Sequence, residues 1–326
     1  MSSDHTMNEW AEYRGHGFSV NPHRRNRPLS LDVHSWSLEL EKVLTRSGIR
    51  SIALYSWEHG GPGLSFLAKF AEQIQFLELL DKSITDRSVI NALVNLEALS
   101  IEGAVDDLNF SSFVGLQTCM IEDAPSSGNV GACPALQDLT LRNVKKFEDF
   151  APFASLHRLT KLLLDAVPLR SLHYIERLQT LRELHLAQCR RLDTLEGIEG
   201  THIEELWLDY NSRLRSIAPL TKLSSLRKLE IGSCKQIEDL ECIAENSSLE
   251  TLWIMTGREI PSLAFLRDMK NLRDFRTFGT KIVDGNLSIL LELPKLEQVV
   301  IHRHMRHYSH TEEQLNAQLQ ARRQAE

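Results

Sequence analysis

The chain has 326 residues, 42 % of them apolar and 25 % charged, the balance of a folded protein with a sizeable core. Its net charge of −7 argues against a nucleic-acid partner, for which a basic stripe is the usual footprint. No run of about 20 apolar residues is present and residues 1–30 hold no signal-peptide core, so neither a membrane span nor secretion is expected.

In chain order, residues 1–30 are rich in His, Arg, Asn and Ser, poor in aliphatics, and expected to be flexible. Residues 31–48 are expected to form a helical N-terminal cap, with Ser35 or Ser37 as N-cap, Leu38, Leu40 and Leu44 as the apolar stripe, and Gly48 as the stop. A second helical stretch covers 64–72. From residue 49 to 301 the pattern Leu-x-x-Leu-x-Leu recurs roughly every 20 to 25 residues. Its clear copies begin at Leu96, Leu136, Leu159, Leu181, Ile203, Leu226, Leu249 and Leu272, and weaker ones at Ile49, Ile74, Leu116 and Leu296.

Between the predicted strands a second rhythm appears. Phe147, Phe150, Phe153, Leu156 and Leu159 are spaced by three, as are Leu169, Leu172, Ile175, Leu178 and Leu181, and Ile260, Leu263, Leu266, Met269 and Leu272. Side chains three apart eclipse in a 3₁₀ helix, so a tight 3₁₀ back is expected rather than long α-helices. The stretch 122–136, with two Pro and two Gly, breaks the rhythm and predicts a loop or thinned wall. Residues 302–326 are expected to cap the other end: Ser309 or Thr311 starts a helix that docks through Leu315 and Leu319, four apart on one face.

That period and pattern mark a leucine-rich repeat solenoid of the α/β class. About twelve units would form a horseshoe or arc with a parallel concave β-sheet and a short 3₁₀, irregular or helical convex side. The copies at 206–226 and 229–249 resemble the 22-to-23-residue repeats of internalins and of the phosphatase-1 regulatory leucine-rich repeat subunit. The resemblance implies the fold over 49–301. It implies no activity, because internalins are secreted bacterial surface proteins and the phosphatase subunit is intracellular.

The five cysteines are odd in number and lie away from both ends, which points to a reduced, cytoplasmic protein. Cys189, Asn211, Cys234 and Thr280, with Gly257, fall at the turn after a strand, where a side chain is needed to satisfy buried backbone groups.

Period-two alternation sends the residue between the last two apolar positions outward, onto the concave sheet. Trp207 and Trp253 fall there, near Leu163, His185, Tyr210, Met255 and Phe278 and ringed by Asp165, Glu183, Glu205, Asp209, Glu230 and Arg276. An aromatic centre with a charged, mostly acidic rim is the anatomy of a protein–protein site, so a protein partner with a basic patch is expected. The competing reading is that both tryptophans only pack across strands. Glu102, Glu122 and Asp123 could pair for acid–base chemistry, but an open sheet cannot desolvate them, and a solvated face is expected.

The tract His302, His304, His307 and His310 invites a metal, yet carboxylate or thiolate company is thin, so no metal and no cofactor are assigned. No catalytic motif is present. The sequence thus points to a non-catalytic, intracellular binding module: a dedicated inhibitor, an immunity protein or a targeting subunit. The alternative is an enzyme or translocated effector whose activity lies in the non-repeat ends.

Overall fold

The computed structural model describes residues 18–21, 30–35, 37–55, 63–84, 86–302 and 305–325. The chain divides into two compact units. Unit 1 closes at Lys146 and includes the excursion Ser155–Arg158; unit 2 holds Phe147–Ala154 and everything from Leu159.

Unit 1 begins earlier than the repeat pattern does. Strand β1 (Phe18–Asn21) pairs antiparallel with β2 (Ser30–Val33), and β2 pairs parallel with β3 (Ser51–Leu54). The expected flexible segment 1–30 therefore contains a strand and the start of another. Strands β4 (Phe76–Leu79), β5 (Ala98–Glu102), β6 (Thr118–Glu122) and β7 (Asp138–Arg142) follow in parallel register. The cap helix α1 (Leu38–Ser47) starts where Leu40 N–H donates to Ser37 Oγ and stops at Gly48, which is left-handed at φ 62. It buries Leu40, Val43 and Leu44, whereas Leu38, expected in the stripe, is 59 % exposed at the first turn.

The expected thin wall at 122–136 is a full repeat. Residues Val130–Ala132 make a 3₁₀ turn, and Ala124, Val130 and Cys133 are buried in place of leucines. Likewise 64–72 is 3₁₀ over Ser65–Phe70, not α-helix.

Unit 2 repeats one plan. Strands β8 (Lys161–Asp165), β9 (Glu183–Ala187), β10 (Glu205–Asp209), β11 (Lys228–Gly232), β12 (Thr251–Met255), β14 (Asp274–Thr277) and β16 (Gln298–Ile301) run parallel in register. Strands β13 (Glu259–Ile260) and β15 (Lys281–Ile282) form a separate two-residue pair. Strands β8 to β12 and β14 return through 3₁₀ segments, among them Ile175–Arg177, Ala218–Lys222 and Leu240–Glu245. The apolar residues spaced by three are the core: Phe150, Phe153, Leu172, Ile175, Leu263 and Leu266 are all 0 % exposed.

Helix α2 (Glu312–Ala325) closes the unit. Gln314 N–H donates to Thr311 Oγ1 while Thr311 N–H donates to Gln314 Oε1, a reciprocal capping box, and Leu315 and Leu319 are buried. No helix among the described residues is long and apolar enough to cross a membrane.

Candidate functional site

Turn chemistry sets where the strands end. The residue after each strand is left-handed without being glycine at Asp123, Asn143, Ala166, Gln188, Tyr210 and Ser233, with φ between 52 and 54. This backbone region is costly for a side chain with a Cβ. It persists because the same residue extends the ladder: Gln188 N–H donates to Asp209 O, Tyr210 N–H to Gly232 O and Ser233 N–H to Met255 O, at 2.8–2.9 Å.

Below the turn, Asn211 is 0 % exposed. Its Nδ2 donates to Leu186 O at 2.7 Å and its Oδ1 accepts from Cys189 N–H at 2.9 Å. Cys234 Sγ and Thr280 Oγ1 point to Leu208 O and Ile254 O, as the repeat position requires. The cysteines are free, and burial pushes the Cys234 thiol up to about 11 and the Cys189 thiol up to about 12. Neither is a thiolate nucleophile at neutral pH.

In unit 1 the same task falls to a residue that the repeat pattern does not mark. The Arg87 guanidinium is 2 % exposed and donates to Ile84 O (2.8 Å), Ala104 O (2.5 Å), Glu102 O (2.7 Å) and Asp81 O (3.3 Å). Burial lowers its pKa, opposed by Asp107, Asp81 and Glu102. Gly103, at φ 98, leaves the room this side chain occupies. The one available signal was a lone Arg just before a 3₁₀ segment.

The concave file of unit 2 is Leu163, His185, Trp207, Glu230, Trp253, Arg276 and Val300, each residue opposite the next across neighbouring strands. It brings together most of the expected site. Asp165, Asp209 and Met255 share the next outward row, and Glu205 the preceding one. Phe278 stacks against His302, with ring centres 5.5 Å apart. Tyr210 is not on the sheet face: its left-handed backbone carries it into the turn, where it is 63 % exposed.

The aromatic centre is not bare. Lys228, one outward step before Glu230 on β11, stacks its ammonium on both rings, 4.6 Å from the Trp207 ring centre and 5.0 Å from that of Trp253. Arg276 covers Trp253 on its other flank at 4.3 Å. The result is a ladder Trp207–Lys228–Trp253–Arg276 of cation–π contacts. Asp274 grips Arg276 through two oxygens and raises its pKa. Trp253 Nε1 is shielded from solvent and has no hydrogen-bond partner among the described residues.

The acidic rim is partly answered from within. Lys228 pairs with Glu230 (2.8 Å) and Glu205 (3.8 Å), Lys161 with Glu183 (2.9 Å), and His185 Nε2 lies 2.9 Å from Asp209 Oδ2. Gly232 leaves space for that last carboxylate, since a Cβ there would overlap Asp209 Oδ1. Lys161, Lys228 and Asp274 are the site residues that the pattern missed, because long polar chains at outward positions carry no periodic signal.

The remaining candidates are placed as follows. Glu102, Glu122 and Asp123 of unit 1 are paired with Lys82 and Arg142 rather than with one another. His304 lies outside the described residues. His307 Nε2 lies 3.0 Å from Ile282 O and His310 Nδ1 3.0 Å from Ser309 Oγ, so each has a local partner.

No protein-family model and no curated protein matches the chain. Solved structures do. The chain is similar to TLR13 in its TLR13–ssRNA13 complex, with TM-score 0.56 and 16 % identity, covering 78 % of this chain and 43 % of that one. It is also similar to an internalin (inlF) of Listeria monocytogenes, with TM-score 0.47, 18 % identity and 74 % and 78 % of the two chains covered. A leucine-rich repeat protein of Leptospira interrogans gives TM-score 0.44, 18 % identity and 82 % and 81 % coverage. At such identities the likeness concerns the fold. The parallel strands, the buried turn ladder and the 3₁₀ backs give this chain the fold of a leucine-rich repeat solenoid.

Proposed function

We propose that the concave face of unit 2 binds a partner protein and that binding itself is the output, as in a dedicated inhibitor, an immunity protein or a targeting subunit. The observation that carries this is the Trp207–Lys228–Trp253–Arg276 ladder on a sheet face that needs no such covering. Trp and Arg dominate interface hot spots, and here both are held in fixed orientations before any partner arrives, which lowers the entropy cost of docking. Carboxylates outnumber cations around the ladder, which favours a protein partner with basic groups over a nucleic acid. The free, buried thiols support a reducing, cytoplasmic setting and a non-catalytic role.

The test is capture of a partner from native lysate by wild type and by Trp207→Ala/Trp253→Ala, with folding checked by circular dichroism. The double variant is expected to weaken a purified partner by at least about 2 kcal/mol, roughly 30-fold. Equal affinity in the folded variant removes the concave face from consideration.

A further inference from the structure

Unit 2 carries a second charged surface where each repeat turns from its strand toward the 3₁₀ side. Two files of residues run along it. In one, backbone hydrogen bonds tie Arg170 to Glu148, Arg215 to Asp193 and Glu238 to Arg215. Its signs alternate, and ion pairs form at 3.8 Å (Arg170–Glu148) and 4.0 Å (Arg215–Glu238). That file is nearly balanced within the chain, with one surplus carboxylate, Asp193.

The other file is not. Arg191 and Arg213 each stand two residues before Asp193 and Arg215, on neighbouring turns, and both are exposed. Neither has an ion pair or a side-chain hydrogen bond among the described residues. With Arg170 and Asp193 they line a cleft of about 390 Å³. Arg213 also lines an adjoining cleft of about 480 Å³ with Asp193, Ser212, Arg215 and Gln236. Like charges one rung apart, at the roughly 4.8 Å strand spacing, repel each other unless an anion lies between them. Asp193 offsets one of the two guanidinium charges, and Arg170 is paired with Glu148, so the cleft keeps a net positive charge that a ligand can fill.

We propose that the cleft between Arg191 and Arg213 binds a phosphate monoester dianion, its oxygens gripped by the two guanidinium forks. Planar, multi-donor forks suit a tetrahedral oxyanion better than ammonium groups do. Glu148 and Glu238 bound the basic row and Asp193 lines the cleft itself, so the surface fits one compact anionic group, such as a phosphorylated side chain, rather than a polynucleotide backbone. The site is independent of the tryptophan ladder.

Calorimetric titration tests this with a phosphoserine peptide free of other acidic residues, its unphosphorylated twin, inorganic phosphate and an oligothymidylate. The phosphopeptide is expected to bind wild type at least about tenfold more tightly than its twin, and Arg191→Gln/Arg213→Gln to lose about tenfold or more. Trp207→Ala/Trp253→Ala should bind it like wild type, which separates this site from the concave face. Inorganic phosphate binding as tightly as the phosphopeptide supports the same chemistry with free phosphate as its source. The proposal is overturned by equal binding of peptide and twin, by no binding at millimolar concentrations, by an unaffected arginine variant, or by tighter binding of the oligothymidylate.

Discussion

Along the concave file of unit 1 the outward side chains are Ala53, Glu78, Ser100, Met120 and Thr140; the first three are 1 %, 2 % and 3 % exposed. Along that of unit 2 they include Leu163, His185, Trp207, Trp253 and Arg276, all half-buried, with His185 stacked on Trp207 and Arg276 on Trp253. Backbone register is the same in both. The difference shows that the repeat builds a platform and leaves its use to residues that contribute nothing to the coil. Each unit also satisfies its buried turns in its own way, unit 1 with the guanidinium of Arg87 and unit 2 with the amide of Asn211.

The largest effect is expected from that last contrast. Arg87→Leu strands four main-chain carbonyls, and unmet buried groups cost about 1–3 kcal/mol each before relaxation and water entry. A loss of at least about 3 kcal/mol in urea unfolding is expected. Hydrogen exchange should show lost protection in β4–β6 while β9–β11 keep theirs. Asn211→Ala should do the reverse at about 1–3 kcal/mol, by orphaning Leu186 O and Cys189 N–H. If both variants deprotect the same strands, the two turn devices are not separate.

Next in size is Gly232→Ala. The added methyl must displace the Asp209 carboxylate and release His185, at a cost of about 1–2 kcal/mol for the overpacking. Partner affinity should fall further than stability, because the row beside Trp207 is rearranged. Affinity that simply tracks Tm would show that the His185–Asp209 contact is scaffolding.

The smallest effect concerns pH. The Lys82 ammonium and then the Asn143 amide hold the Asp123 carboxyl below the ordinary carboxylate range. A depressed folded pKa stabilises above the unfolded value of about 4 and is lost as pH falls through the folded one. Asp123→Asn, which keeps a side chain tolerant of φ 52, should therefore be slightly less stable than wild type at pH 7, with the difference shrinking as the pH falls below about 4. A difference between the two proteins that does not change with pH rules out charge as its cause.

Much of this was legible beforehand. Leu206/Leu208 and Leu252/Ile254 set a register that put Trp207 and Trp253 outward, and residues spaced by three announced the 3₁₀ backs. The turn ladder through Cys189, Asn211, Cys234 and Thr280 followed from the need to pair buried backbone groups. Leu38, the strand at Phe18–Asn21 and the intact repeat at 122–136 were not legible, because edge strands and degenerate repeats depend on neighbours rather than on their own pattern.

The sequence by itself determined the coil, its core and the side on which each strand residue points, since apolar periods of two and three admit one way of burying every leucine. Tertiary structure alone decided which charges meet. Lys228 reaching across two tryptophans, Arg87 turned inward, and Arg191 and Arg213 brought to one cleft without an ion pair all depend on residues from different repeats arriving one strand spacing apart. Long polar side chains then choose among several neighbours by distance and charge, and no periodicity along the chain encodes that choice.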